Sequence, residues 1–293
     1  MKMSKSFCSL LLMFALLCGC ILFTACEKRE ASLSEIAMGA IPYRAKAPVK
    51  TQLYDSLAVK GRLPASWLAG GYAVSNMAEV TFLPMPGDTL FVRILEFSDD
   101  VSALAFYLNS GLVQEALPVV EGEAREIAMR SGRKLFVFRY GLLRNHSRAE
   151  LEHYVQSFPG YRSGLPQEFL SLPFAGRIPG ETSIQIRNFL GVPSEIPMLV
   201  QGYRAEDLSW NAARSWKSES SDAWRGFVAE LQKSGRDVRI ESDTVRFDAG
   251  AGMRGTALRL PGGRIVCVWG FLDEISLQKR FAEASRSVYD SPE

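Results

Sequence analysis

The chain has 293 residues, with 34 lysines and arginines against 32 acids and 47% apolar side chains. That balance excludes the basic excess of a nucleic-acid binder, and the apolar content is that of a globular body able to bury one large core or two medium ones. Five cysteines suggest a disulfide framework until their positions are read.

The chain opens with Lys2 and Lys5 as its early charges. Phe7 to Ala25 then runs uncharged. This is long enough to span a bilayer as a helix. A charged start, an apolar centre and a small-residue end instead describe a secretory signal. Phe23-Thr24-Ala25-Cys26 resembles a bacterial lipobox: bulky apolar, small, small, Cys. The resemblance implies that the Cys26 thiol takes a diacylglycerol and that cleavage falls before it, with residues 1–25 as signal peptide. Leu17-Cys18-Gly19-Cys20 is a rival box, but cleavage there leaves the apolar stub Ile21-Leu22-Phe23. An uncleaved anchor helix is the third reading. Cleavage before Cys26 removes two lysines and no acids, leaving 32 charges of each sign, and three of the five cysteines, Cys8, Cys18 and Cys20, leave with the signal. Cys267 then has no partner for a disulfide within the chain. It lies in the strand-like run Arg264 to Trp269 and reads as a small buried hydrophobe.

Residues 26–50 show no clear period and carry Pro42 and Pro48, so they read as a tether. A first α+β half is expected over 51–158. Thr89 to Phe97 is rich in strand formers. Ser98-Asp99-Asp100 starts a helix, with Val101, Leu104, Ala105 and Leu108 on one face. Gly132 to Phe138 predicts another strand. Ser147-Arg148-Ala149-Glu150 is a capping-box pattern before a helix burying Leu151, Tyr154, Val155 and Phe158. Residues 159–197, with six prolines, read as a connecting segment.

A second half follows over 198–293. Its helix has Trp224, Phe227, Val228 and Leu231 on one face, and a final helix has Leu277, Phe281 and Ala284. Ser98 aligns with Ser218 at a shift of 120, and Gly132 to Phe138 with Gly262 to Val268 at a shift of 130. A longer hairpin within 241–260 accounts for the difference. The expectation is an α+β fold of two related strand-strand-helix-strands-helix halves with largely antiparallel sheets.

Residues that suggest chemistry have blander explanations. Gly250-Ala251-Gly252-Met253-Arg254-Gly255 matches a dinucleotide fingerprint, but Thr256 to Leu260 after it alternates like a strand where a helix is needed, so a hairpin tip is expected. His146 and His153 are the two histidines; with no second cysteine to join them, zinc is not expected. No Gly-x-Ser-x-Gly elbow accompanies them. Asp99-Asp100 and Glu219 fall where helix first turns favour acids. Of the tryptophans, Trp67, Trp210, Trp216, Trp224 and Trp269, Trp67 is the best candidate for an exposed stacking platform. No catalytic, cofactor-binding or metal site is assigned; the one site residue is Cys26, as lipid attachment.

Leu63-Pro64, Trp67, Gly71-Tyr72, the run Glu96-Phe97-Ser98-Asp99 with Ala103, and Phe169-Leu170 are similar to a bacterial family of exported proteins of unknown function. The resemblance implies paired strand-helix units over residues 55–285 and no activity. The reading is thus a lipoprotein of the bacterial cell envelope, at the outer membrane if the host is Gram-negative, acting as a non-enzymatic binding or assembly module. Its expected partners are the membrane, through the lipid, and a second envelope protein or an apolar ligand; nucleic acid is not one. An envelope hydrolase with an unidentified acid or serine site is the alternative.

Overall fold

The structure is a computed structural model that describes residues 30–39, 47–65, 67, 71–85, 88–110, 125–140, 148–162, 172–216 and 221–289. Six α-helices and fourteen strands lie among them. The fold is α+β, mostly sheet, with every strand pairing antiparallel.

The first sheet contains β1 (Lys50–Tyr54), β2 (Val74–Met85), β3 (Asp88–Phe97), β4 (Arg125–Ser131) and β5 (Lys134–Tyr140), in the order β1-β2-β3-β5-β4. Its helices are α1 (Leu33–Met38), α2 (Ser56–Lys60), α3 (Asp100–Asn109) and α4 (Arg148–Gln156). Alternation along the strands sends successive side chains to opposite faces. On one face Ala78, Val80, Phe82, Ile94, Phe136 and Phe138 pack against Ile36 and Ala37 of α1 and Leu151, Tyr154 and Val155 of α4. On the other, Met77, Leu95, Phe97, Ala128, Leu135 and Val137 pack against Ala103 and Phe106 of α3.

The second sheet contains β6 (Arg177–Gln185), β9 (Met198–Ala205), β10 (Leu208–Ser215), β11 (Val238–Glu241), β12 (Thr244–Gly250), β13 (Met253–Arg259) and β14 (Ile265–Gly270), with β7 (Asn188–Phe189) and β8 (Val192–Pro193) as a small separate ribbon. Its order is β11-β12-β13-β14-β10-β9-β6. Helix α5 (Ser221–Lys233) covers one face with Trp224, Phe227, Val228 and Leu231, over Val200, Ala213, Phe247, Cys267 and Trp269. Helix α6 (Glu274–Tyr289) covers the other with Leu277 and Ala284, over Leu199, Tyr203, Ala212, Val266 and Val268.

The sheets are joined by a shared helical layer. Leu104 and Ala105 of α3 lie in the same cluster as Leu277 and Ala284 of α6. Asn109, the last residue of α3, fastens the edge strand: its Nδ2 donates to the Ile184 carbonyl at 2.8 Å and its Oδ1 accepts from the Ile184 amide at 3.3 Å. The molecule is therefore layered as α1 and α4, first sheet, α3 and α6, second sheet, α5.

Two segments differ from the sequence reading. Residues 30–38, expected within the 26–50 tether, dock on the body. Ser32 and Glu35 form a capping box that starts α1, and the apolar Ile36 and Ala37 are fully buried. Six residues are too short for a periodicity signal; the Ser32-x-x-Glu35 pattern was the local cue, and burial of Ile36 and Ala37 holds the helix in place. Residues 159–197, expected as a connection, supply β6, β7 and β8, and β6 pairs with β9.

Candidate functional site

Helix α3 covers one end of its face of the first sheet. Further along the same face, Phe91 and Arg139 are exposed and Glu79, Thr81 and Arg93 are half-buried. Strand register places two cross-strand rows there. One runs Gln52, Glu79, Arg93, Val137 and the other Lys50, Thr81, Phe91, Arg139, Glu126. They line a hollow of about 300 Å³, at the small end of the range for ligand pockets. Phe91 is 49% exposed at the middle of its row. Neighbouring Arg93 is pinned: its Nε and Nη2 both donate to Glu79 Oε1, at 3.1 and 2.8 Å. Tyr54 donates its hydroxyl to the other oxygen of Glu79 at 3.2 Å. The hollow thus offers an aromatic ring among fixed charges of both signs.

Two further cavities differ from it in character. One of about 650 Å³ lies where the tip of α3, Leu108 and Asn109, meets Gly180 to Ser183 of β6, with Asn211 and Trp269. Much of its polar lining is committed. Asn109 holds Ile184, and Thr182 Oγ1 donates to Gln201 Oε1 at 2.5 Å. Glu181 lies over Gly202, where an added Cβ would fall 2.1 Å from its Oε2. The third cavity, about 480 Å³, has Arg239, Arg246 and Arg254 facing Asp237, Asp248 and Glu274. Arg246 pairs with Glu274 at 2.8 Å and Arg239 with Asp237 at 3.7 Å, so the charges answer one another across a solvated surface.

The residues singled out from the sequence fall as follows. Cys26, His146, Phe169, Leu170 and Glu219 lie outside the described residues. Asp99 is the N-cap of α3, its Oδ1 accepting from the Ser102 amide at 2.7 Å. Gly250 to Gly255 forms the β12–β13 hairpin, with Ala251 and Gly252 both at positive φ in the turn. The third fingerprint glycine, Gly255, is required by packing: a Cβ there would meet the Phe247 ring at 2.5 Å. His153 is exposed on α4. Cys267 is fully buried, and burial pushes its thiol well above its usual range. Trp67 is half-buried and meets Phe106 edge to face at 5.0 Å, so it supports the core rather than standing free. Trp210, Trp224 and Trp269 are buried.

Glu30, Asp99 and Asp273 are moved from their usual range, all downward. Burial raises Glu30 and Asp99, and hydrogen bonds outweigh it: from Arg162 to Glu30, aided by nearby Lys134 and Arg133, and from the Ser102 amide with Ser98 and Ser102 to Asp99. Asp273 is held down mainly by the Ser276 amide at the start of α6. None is kept protonated, as a general acid at neutral pH must be. No cluster of three or more metal-ligating side chains occurs among the described residues, and no described helix is long and apolar enough to cross a membrane.

The Phe91 hollow was not found from sequence. Its signal was the alternation Phe91, Arg93, Leu95 against Leu90, Val92, Ile94, which marks a strand but not where a helix stops covering it.

No family model matches the chain, and no curated protein does. Among solved structures it is similar to a GTP binding regulator from Thermotoga maritima, with 11% identity over 43% of this chain and 88% of that one, at a TM-score of 0.29. A likeness at that score carries no argument about fold or activity.

Proposed function

We propose that the protein is a membrane-anchored lipoprotein of the bacterial cell envelope, lipidated at Cys26, whose body is a non-enzymatic binding module. The observation that carries the binding reading is Phe91, half-exposed in a hollow between the fixed Arg93–Glu79 pair and Arg139. An exposed aromatic flanked by ordered polar groups suits a protein or apolar partner.

The two halves are proposed as an internal duplication. Both sheets run in one order, β1-β2-β3-β5-β4 and β6-β9-β10-β14-β13, with a helix after β3 and β10 and another after β5 and β14. β11 and β12 extend the second sheet beyond β13, while the residues 241–260 expected to hold a longer hairpin carry β12 and β13.

A photo-crosslinking residue at position 91, in the natively expressed lipoprotein, tests the binding reading. A discrete adduct at 91, without the same adduct from exposed position 240 on β11, is the expected result. Adducts from both positions alike, together with turnover of a cell-wall or ester substrate by the purified body, would overturn it.

A further inference from the structure

The segment before α1 is docked on the body from Glu30 onward, four residues after Cys26. Ala31 is buried and its amide donates to the Pro159 carbonyl at 3.1 Å. The Glu30 carboxylate accepts from Arg162 and stands 3.5 Å from Lys134 Nζ and 3.8 Å from Arg133 Nε. Lys134 is itself buried, and its ammonium also reaches Glu96 at 3.4 Å. Gly160, at φ +79°, lets the backbone pass so near that an added Cβ would sit 2.8 Å from the Glu30 Cα. Glu30 is thus held by charge, hydrogen bond and close backbone packing together.

Cys26 precedes Glu30 by four residues. Consecutive Cα atoms are about 3.8 Å apart, so the two Cα atoms are within about 15 Å of each other. A lipid on Cys26 seats that residue at the headgroups, a zone about 5–8 Å deep on each side of the bilayer. Lys28 and Arg29 lie in the same short interval. The side chains that pair with Glu30 at this surface, Arg162 and Arg133, are 64% and 45% exposed.

We infer that the end of the first sheet carrying Glu30, the β4–β5 turn and Gly160 to Arg162 rests against the phospholipid surface, with the Phe91 hollow turned outward. This rests on the lipoprotein reading. Lys134 pairs across to Glu96 at the anchored end, and Arg139 pairs with Phe91 five residues along β5. At about 3.4 Å per residue, the hollow stands roughly 17 Å further along the strand. The anchor therefore sets both height and orientation.

The test uses the acylated full-length lipoprotein in phosphatidylcholine–phosphatidylglycerol vesicles. A fluorophore is placed on Gln156→Cys, exposed at the anchored end of α4, or on Phe91→Cys, and a short-range nitroxide quencher on the lipid headgroup. Quenching several-fold stronger at 156 than at 91 is expected. Inserting about twenty Gly/Ser residues between Arg29 and Glu30 should abolish the difference. Equal quenching without the insert, or an unchanged difference with it, would overturn the orientation. Palmitate incorporation into wild type and Cys26→Ala separates the two readings. Equal label in both, or no vesicle binding by wild type, sinks the lipoprotein reading itself; labelled wild type with equal quenching sinks only the orientation.

Discussion

Helices α3 and α5 hold the same place in the connectivity of their sheets, yet their surroundings are opposite. α5 is an outer helix: Trp224, Phe227, Val228 and Leu231 face the sheet, while Asp222 and Arg225 pair in solvent at 2.6 Å. α3 lies between the sheets. Ala103 and Phe106 pack into one core and Leu104 and Ala105 into the other. A helix apolar on one stripe covers a surface, and one apolar on most sides belongs inside. Similar topology therefore does not make the halves mechanically equivalent, because the first half supplies the helix on which both depend.

The largest expected effect breaks that layer. Phe106 meets Trp67, Tyr72 and Phe97 at ring distances of 5.0, 5.2 and 5.5 Å. Phe106→Ala should cost about 3–5 kcal/mol, read from the urea midpoint at unchanged slope. Next comes the fastening of α3 to β6. Asn109→Ala leaves the Ile184 backbone groups without this partner and should cost about 1–3 kcal/mol, with faster amide exchange at Ile184. A loss at Asn109 equal to that of an exposed substitution would show that the sheets hold together without it.

Acid separates the regions more gently. Glu30 and Asp99, both in the first half, have folded pKa values below their ordinary 4.5 and 3.8. A depressed carboxylate stabilises the fold above its unfolded pKa and loses that contribution as pH falls through the folded value. Protection of Ile36 and Ala37 in α1, corrected for intrinsic exchange, should hold down to about pH 5 and fall below about 4.5, ahead of Val266 in β14. Simultaneous loss at all three would count against a separate Glu30 contribution. The smallest effect belongs to α5: Arg225→Ala, at an exposed pair, should change stability by no more than about 0.5 kcal/mol.

Much of the fold was legible in the sequence where a period was long enough to read. The strand Thr89 to Phe97, the helix capped by Asp99, the amphipathic face of α5 and the hairpin at Gly250 to Gly255 were all expected and all form, and the strand expected over Gly132 to Phe138 forms from Lys134, with Gly132 and Arg133 in the turn before it. The expected face of α3 was incomplete: Val101, Leu104, Ala105 and Leu108 were read as its stripe, and Ala103 and Phe106 were left out. One helix served two cores, and a search for one stripe finds one.

What the sequence determined by itself is local: alternation, caps, turns, and the lipobox-like run that nominates Cys26. Each depends on neighbours within a few residues. Tertiary structure decided the rest. Only the positions of Lys134, Arg162 and Gly160, about a hundred residues and more downstream, turn Glu30 to Met38 from apparent tether into a docked segment. Only the tertiary structure shows that Phe91 stays half-exposed while Ala103 and Phe106 of α3 pack elsewhere on the same sheet. A one-dimensional pattern states which side chains are apolar or charged. Which of them meet is fixed when the two sheets close on a common helical layer, because burial and ion pairing act through distances in space.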